Sequence, residues 1–202
     1  MIRNYARQAP VTMAFSLVMV IIWLATAAQA GSLANNADSS LGEQLLLYPQ
    51  QLTPMSIVGN MFMHFGVAHL AMNTIMLLLI GREIEMSLRD PWLYAAVFLV
   101  SGLGADAAIV HFHPNSVVAG VSGVLYSFMA LLVGIAFRRR SDLRAPIILI
   151  AVNLAYSLLA PGISLWGHLG GLCAGVFLIP ATIWPQRKIV QWIAVLTVGA
   201  AA

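Results

Sequence analysis

Charge is what this sequence has least of. Asp, Glu, Lys and Arg together make up 8% of its 202 residues, against about 25% in an ordinary soluble domain. A soluble fold of this length does not cover its surface with so few charges, so the soluble class is excluded. Cysteine occurs once, as Cys173 within an apolar stretch. A disulfide framework is therefore excluded as well, and the redox compartment stays open.

Apolar residues, in contrast, form 60% of the chain, in runs separated by short polar or Gly/Pro breaks. About 20 apolar residues cross a bilayer as a helix. We predict an all-α, polytopic transmembrane bundle with six spans, at residues 11–28, 57–80, 91–110, 122–137, 146–159 and 165–184. The apolar tail 189–202 is too short to cross comfortably. We expect it to be an interfacial segment or an incomplete seventh span.

The basic residues indicate the orientation. All ten lie at the amino terminus, in the second and fourth connections, or after the sixth span. By the positive-inside rule, both termini are then cytoplasmic. The chain has no Arg-rich and Ser-rich transit segment, so we expect a prokaryotic plasma membrane. The expected surroundings are a lipid bilayer, and the net charge of +3 gives no indication of nucleic acid.

Polar side chains within predicted spans are costly in lipid and usually functional. His69 and Asn73 belong to the second span, Ser122 and Tyr126 to the fourth, and His168 to the sixth. A helix rises about 1.5 Å per residue. Along their helices, His69, Ser122 and His168 lie roughly 20, 24 and 28 Å from the inner-side arginines, in the direction of the outer side. All three therefore belong to the outer half of a bilayer core about 30 Å thick.

These residue types suit acyl transfer. A hydroxyl needs a base to become a good nucleophile, and histidine titrates near neutrality. His69 and Asn73 are four residues apart and share one helix face, where they offer donors to a developing oxyanion. No carboxylate accompanies Ser122 and His168 at convincing spacing. We therefore predict a Ser-His dyad rather than a triad.

Three motifs, in this order along the chain, resemble those of the rhomboid intramembrane serine proteases: His64-x4-His69-x3-Asn73, Gly120-Val-Ser122-Gly123 and Gly167-His168-x2-Gly171-x3-Gly175. The resemblance implies that Ser122 is the nucleophile and His168 the general base. It implies an oxyanion hole of His69, Asn73 and the Ser122 backbone N–H. The supporting residues that it implies are Gly120, Gly123, Tyr126 against the His168 ring, and Gly171 between the fourth and sixth helices.

The resemblance further implies a protease domain over residues 1–188 that needs no cofactor. Its expected substrates are single-span membrane proteins, cleaved near the outer interface. One departure stands out: many rhomboid proteases carry a Trp-Arg pair before the second span, whereas residues 31–56 contain neither Trp nor Arg. How this first connection is anchored is left open by the sequence.

Two other functions stay open. A catalytically silent relative would bind membrane clients without cutting them, and a small proton-coupled transporter would use His69, Asp106 and His168 as a relay. We expect Asp106 to be structural and His64 to steady the first connection. His111-Phe-His113, with Asp106 nearby, matches no standard metal-ligand spacing, so no metal site is predicted.

Overall fold

A computed structural model of the protein describes residues 2–184 and 187–201. Within them the chain is helical and contains no β-strand, which confirms the predicted all-α class. Met1, Pro185, Gln186 and Ala202 belong to the predicted domain and tail but lie outside the described residues.

The helices, in chain order, are α1 (Ile2–Gln8), α2 (Pro10–Ala30), α3 (Ser40–Leu45), α4 (Pro54–Gly59), α5 (Gly66–Met76), α6 (Arg82–Leu88), α7 (Pro91–Phe112), α8 (Ser122–Arg138), α9 (Arg144–Leu159), α10 (Leu165–Thr182) and α11 (Lys188–Ala200). A π-helical segment, Leu77–Gly81, joins α5 to α6. Among the described residues, α2, the joined helix Gly66–Leu88, α7 and α10 are long and apolar enough to cross a membrane, and α8, α9 and α11 are shorter apolar helices. The chain is thus a multi-pass membrane protein.

The second span differs from the predicted 57–80. Its apolar run is broken into α4 and a helix that begins only at Gly66 and continues to Leu88. Thr53 and Ser56 form a capping box that starts α4 early, and the side-chain amide of Asn60 donates to carbonyl oxygens at the end of α4. Gly66, the first residue of α5, then takes φ +65°, a left-handed conformation that favours glycine. Apolar composition alone does not reveal these local signals.

At its other end the same helix continues past residue 80, where the predicted span ends, to Leu88. The buried carboxylate of Glu85 accepts hydrogen bonds from the N–H groups of Val11 and Thr12, at 2.9 and 2.8 Å. These N–H groups belong to the first turn of α2, where no intrahelical acceptor exists. The first turn of α2 thus satisfies the charge of Glu85, and α6 is fastened to it.

Glycines let α8 and α10 pack backbone against backbone. A Cβ on Gly171 would lie 2.0 Å from the carbonyl oxygen of Gly123, and one on Gly175 would lie 2.4 Å from that of Ser127. Any side chain at either position would therefore clash with main-chain atoms. We call this contact of Gly123, Ser127, Gly171 and Gly175 the α8–α10 seam.

The first connection is anchored without a Trp-Arg pair. Asn36 is fully buried, and its side-chain amide donates to Thr26 and to the carbonyl oxygen of His64, at 2.9 and 2.8 Å. The side-chain oxygen of Asn36 accepts a hydrogen bond from the backbone N–H of Gly66. Further along, Leu47 and Val118 exchange two backbone hydrogen bonds of 2.9 and 3.1 Å. Amide and main-chain pairing thus fix the connection to the start of α5 and to the segment before α8.

The tail forms α11, which packs against α7 and α10. Val195 is fully buried, and a Cβ on Gly199 would meet the side chain of Val100 at 2.8 Å. At its start, the Lys188 ammonium lies 3.2 Å from the Asp90 carboxylate at the cap of α7. The position of this tail relative to the bilayer stays a prediction.

Candidate active site

Ser122 begins helix α8 directly after a turn that favours glycine. Gly120 has φ +120°, a conformation that side-chain-bearing residues rarely adopt. The Oγ atom of Ser122 lies 2.8 Å from Nε2 of His168, which projects from α10. Two residues 46 positions apart in the sequence are therefore within hydrogen-bond distance in the fold.

The His168 ring is held in place by its neighbours. The Tyr126 ring stacks on it, with ring centroids 4.3 Å apart and planes 18° from parallel. The Nδ1 atom of His168 lies 2.7 Å from Oγ of Ser157 on α9. The ring is buried, so stacking and hydrogen bonding together fix the direction in which Nε2 faces.

His69 and Asn73 lie beside the chain just ahead of Ser122. A Cβ on Gly120 would be 2.9 Å from Nε2 of His69 and 3.7 Å from Nδ2 of Asn73. On the other side of the His69 ring, Nδ1 accepts the N–H of Phe65 at 3.4 Å. With Nδ1 as the acceptor, Nε2 of the neutral ring carries the proton. Two side-chain donors therefore lie next to Gly120, two residues before Ser122.

The backbone adds a third donor. Ser122 is the first residue of α8, and the first N–H groups of a helix have no intrahelical acceptor. The positive end of the helix dipole lies at the same place. A hydroxyl, an imidazole and N–H donors are the groups from which acyl-transfer sites are built.

A small cavity borders the Ser122–His168 pair. Its volume is about 20 Å³, and its lining also includes Asn60 and Asp106. A cavity of this size holds about one water molecule. The buried Asp106 carboxylate accepts a hydrogen bond of 3.0 Å from the Asn60 side chain. The space for a water molecule next to the pair is thus bordered by polar groups as well as by apolar side chains such as Met61 and Ile109.

Comparison with known proteins identifies the family. The model of the Rhomboid domain matches residues 51–185, more than half of the chain and the whole stretch from α4 to α10. This chain belongs to the rhomboid family. The family predicted from the three motifs is therefore confirmed.

Several curated relatives carry rhomboid names. The chain is 30% identical over 129 residues to Rhomboid protease GluP of Bacillus subtilis, covering 61% of this chain and 25% of that protein. It is 28% identical over 145 residues to RHOMBOID-like protein 6, mitochondrial, of Arabidopsis thaliana, covering 65% and 47%. Rhomboid-type serine protease 2 of Emericella nidulans is 30% identical over 129 residues, covering 58% and 25%. The chain thus spans between a quarter and about half of the length of these relatives.

In this rhomboid chain, His64 links the first connection to the site. It is fully buried; its Nδ1 atom donates to the carbonyl oxygen of Phe62 at 3.1 Å, and Nε2 accepts the N–H of Val121 at 3.4 Å. Burial, with a smaller contribution from the nearby His69, lowers the pKa of His64 to about 3. A neutral imidazole therefore connects the turn before α5 to the residue before Ser122.

His111 lies in the last turn of α7, and His113 caps the end of this helix. The His111 ring packs edge-on against Phe112, with centroids 4.5 Å apart. In the part of the chain that the structure describes, no three His, Cys, Asp or Glu side chains are grouped closely enough to hold a metal ion.

Ser157 is the residue of this rhomboid site that sequence reasoning missed. It lies in an apolar helix of 16 residues, Arg144–Leu159, and 11 positions before His168. A polar side chain in an apolar helix is itself a signal of function. Serine is common in membrane helices for packing reasons alone, so the signal does not stand out until the fold brings Ser157 to the His168 ring.

Proposed function

We propose that this chain is an intramembrane serine endopeptidase that cleaves single-span membrane proteins near the outer membrane interface, with no cofactor. Ser122 is the nucleophile and His168 the general base. The observation that carries the proposal is the 2.8 Å separation between Ser122 Oγ and His168 Nε2. Membership of the rhomboid family supports the reaction class.

In the first step, the Ser122 hydroxyl proton moves to Nε2 of His168 while Oγ bonds to the scissile carbonyl carbon. The electron pair of the C=O bond moves onto oxygen and forms the tetrahedral oxyanion. Nε2–H of His69, Nδ2–H of Asn73 and the Ser122 backbone N–H donate to this oxyanion. Preorganised donors stabilise the transition state more than the ground-state carbonyl.

In the second step, the oxyanion collapses and the C–N bond breaks. The leaving amine takes the proton from Nε2 of His168, and the substrate acyl group stays esterified to Ser122. A water molecule next to the pair then loses a proton to Nε2 of His168 while its oxygen bonds to the ester carbonyl carbon. The C–Oγ bond breaks, the carboxylic acid product leaves, and the proton on His168 returns to Oγ of Ser122. The small cavity beside Ser122 supports this step, since it has room for one water.

A substrate helix must unwind before it reacts. Its carbonyl oxygens accept hydrogen bonds from N–H groups four residues further along the helix. The carbonyl groups are therefore not accessible to Ser122 until those bonds open. Segments that leave the helix easily are the expected substrates. We also propose that residues 1–188 form the protease domain of a prokaryotic plasma-membrane protein. The inner-side clustering of Arg and Lys supports cytoplasmic termini.

The test is cleavage of a tagged single-span substrate by purified, detergent-solubilised protein. Wild type, Ser122→Ala and His168→Ala are compared with Ser127→Ala. Ser127 lies on the same helix as Ser122, but its buried hydroxyl bonds to Ser101 and not to His168. We expect cleavage by wild type and Ser127→Ala and none by the two dyad variants. Cleavage that persists in Ser122→Ala contradicts the proposal.

The same samples distinguish the alternatives. A silent relative would retain the substrate on the folded wild type without cutting it. A transporter would show proton-coupled uptake in vesicles that survives Ser122→Ala, because that relay would use His69, Asp106 and His168. Either result would replace the protease proposal.

A further inference from the structure

The Ser157 hydroxyl lies at the centre of a hydrogen-bond network, whose proposed role rests on the protease function proposed above. Ser157 is the one buried side chain along α9, all of whose residues the structure describes. Its Oγ atom has three polar neighbours at hydrogen-bond distance: the Asn153 carbonyl oxygen at 2.8 Å, the Tyr126 hydroxyl at 2.7 Å and Nδ1 of His168 at 2.7 Å. One hydroxyl group thus connects three helices at the base of the dyad.

Counting hydrogens assigns the direction of each bond. A serine hydroxyl has one hydrogen to donate and two lone pairs to accept with. The Asn153 carbonyl oxygen only accepts, so it must receive the Ser157 hydrogen. All three contacts are then hydrogen bonds in a single arrangement, in which Tyr126 and Nδ1 of His168 both donate to Ser157.

This arrangement fixes the tautomer of His168. With the proton on Nδ1, the other ring nitrogen of the neutral imidazole carries a free lone pair. That nitrogen, Nε2, lies 2.8 Å from Ser122 Oγ and is ready to accept its proton. The opposite tautomer would place N–H against the nucleophile and leave no base. In a Ser-His-Asp triad an aspartate sets the same tautomer.

We propose that Ser157 is a positioning residue of this protease, which holds His168 in the tautomer that can deprotonate Ser122. Unlike an aspartate, the hydroxyl carries no charge, so its contribution is orientation and tautomer selection. Tyr126 has a double role in the same network: its ring stacks on His168 and its hydroxyl donates to Ser157. The dyad is in this sense supported from α9 by a neutral third member.

Substitutions test the role in catalysis. We expect Ser157→Ala to lower kcat roughly tenfold with KM unchanged, since His168 loses the buried hydrogen bond at Nδ1, and Ser157→Thr to restore most of the rate because it keeps the hydroxyl. Ser101→Ala is the matched control: Ser101 also donates to the carbonyl oxygen four residues back and bonds to a second hydroxyl, Ser127, but not to His168. Equal rates in Ser157→Ala and wild type would overturn the proposal.

Nitrogen NMR of ¹⁵N-histidine-labelled wild-type protein tests the tautomer without using activity. Protonated and unprotonated ring nitrogens resonate far apart, and His168→Ala identifies the His168 signals by their loss. We expect Nδ1 to be protonated and Nε2 unprotonated at neutral pH, and the Nε2–H tautomer to appear in Ser157→Ala. A wild-type ring protonated on Nε2 would overturn the inference. If the protein does not cleave, the proposed function fails, whereas this measurement still decides the role of Ser157.

Discussion

The α8–α10 seam and helix α9 meet at the same histidine but are packed in opposite ways. In the seam, glycines bring main chains so close that a Cβ on Gly171 would lie 2.0 Å from a carbonyl oxygen. Along α9, large apolar side chains point outward, and Val152, Tyr156 and Leu159 are 61, 63 and 84% exposed. Ser157 is the one buried side chain of that helix.

These two kinds of packing serve different tasks. Ser122 and His168 must keep a fixed distance, and their helices achieve this by backbone contact that leaves no free volume. Helix α9 contributes one hydroxyl to the site and otherwise faces outward, as expected of a lipid-contacting helix. We therefore expect substitutions of the seam glycines to affect folding and activity together, and substitutions on α9 to affect either the chemistry or almost nothing.

The largest effect is expected from Gly171→Ala. The added methyl group would clash with the Gly123 backbone, and overpacking of this kind costs about 1–3 kcal/mol or more. We predict a clear fall in melting temperature and loss of cleavage. The control is Gly134→Ala on α8, where the new Cβ meets the Ile179 side chain at 3.0 Å, which can shift. An unchanged melting temperature for Gly171→Ala would contradict the seam.

Asn73→Ala should impair catalysis without affecting the fold. The Asn73 side-chain amide faces Gly120, where its Nδ2 atom would lie 3.7 Å from an added Cβ, and its proposed role is in the transition state. Loss of one oxyanion donor typically lowers the rate about 10²–10³-fold. Cleavage rates and melting temperatures are compared with Met72→Ala, an exposed neighbour on α5. A full rate in Asn73→Ala would remove this residue from the oxyanion hole.

Acid should weaken the link from His64 to the start of α8. The pKa of His64 is lowered by burial from 6.5 to about 3, so between these values the unfolded chain binds a proton that the folded protein does not. The free energy of unfolding is therefore not reduced by His64 above pH 6.5. Below that value it decreases as the pH falls towards 3. We expect a loss of about 2 kcal/mol at pH 5.

Unfolding by denaturant at pH 7.5 and pH 5 measures this loss. In His64→Gln the same acidification should cost less, because the titrating ring is gone. If wild type and His64→Gln lose equal stability between the two pH values, His64 is not the group responsible.

The smallest effect is expected on the outward face of α9. Val152→Ala removes two methyl groups from a side chain that is 61% exposed, and surface substitutions typically change stability by no more than about 0.5 kcal/mol. We predict an unchanged melting temperature and unchanged cleavage. A marked loss of stability would show that α9 is packed as closely as the seam.

The sequence predicts the helical class, the family and the residues of the dyad because costly polar groups and small residues stand out in an apolar chain. Ser122, His168, His69 and Asn73 are visible at matching depth before any fold is known. Their roles in catalysis stay predictions until they are measured.

Other features depend on contacts that a linear pattern does not contain. The early start of α4 and the turn at Gly66 follow from side-chain caps, so an apolar run predicted one helix from residue 57. Asn36 and Ser157 acquire their meaning only when distant segments meet, the first with His64 and the second with His168. A lone polar residue in an apolar helix indicates a partner, but the fold has to supply it.

The most direct test of the account is covalent labelling by a fluorophosphonate, which needs no known substrate. An activated serine hydroxyl attacks phosphorus and displaces fluoride, and the labelled peptide is then located by mass spectrometry. We predict labelling of wild-type protein at Ser122, greatly slowed labelling in His168→Ala and none in Ser122→Ala. Labelling at another residue, or a folded wild type that stays unlabelled, would contradict the claim that His168 activates Ser122.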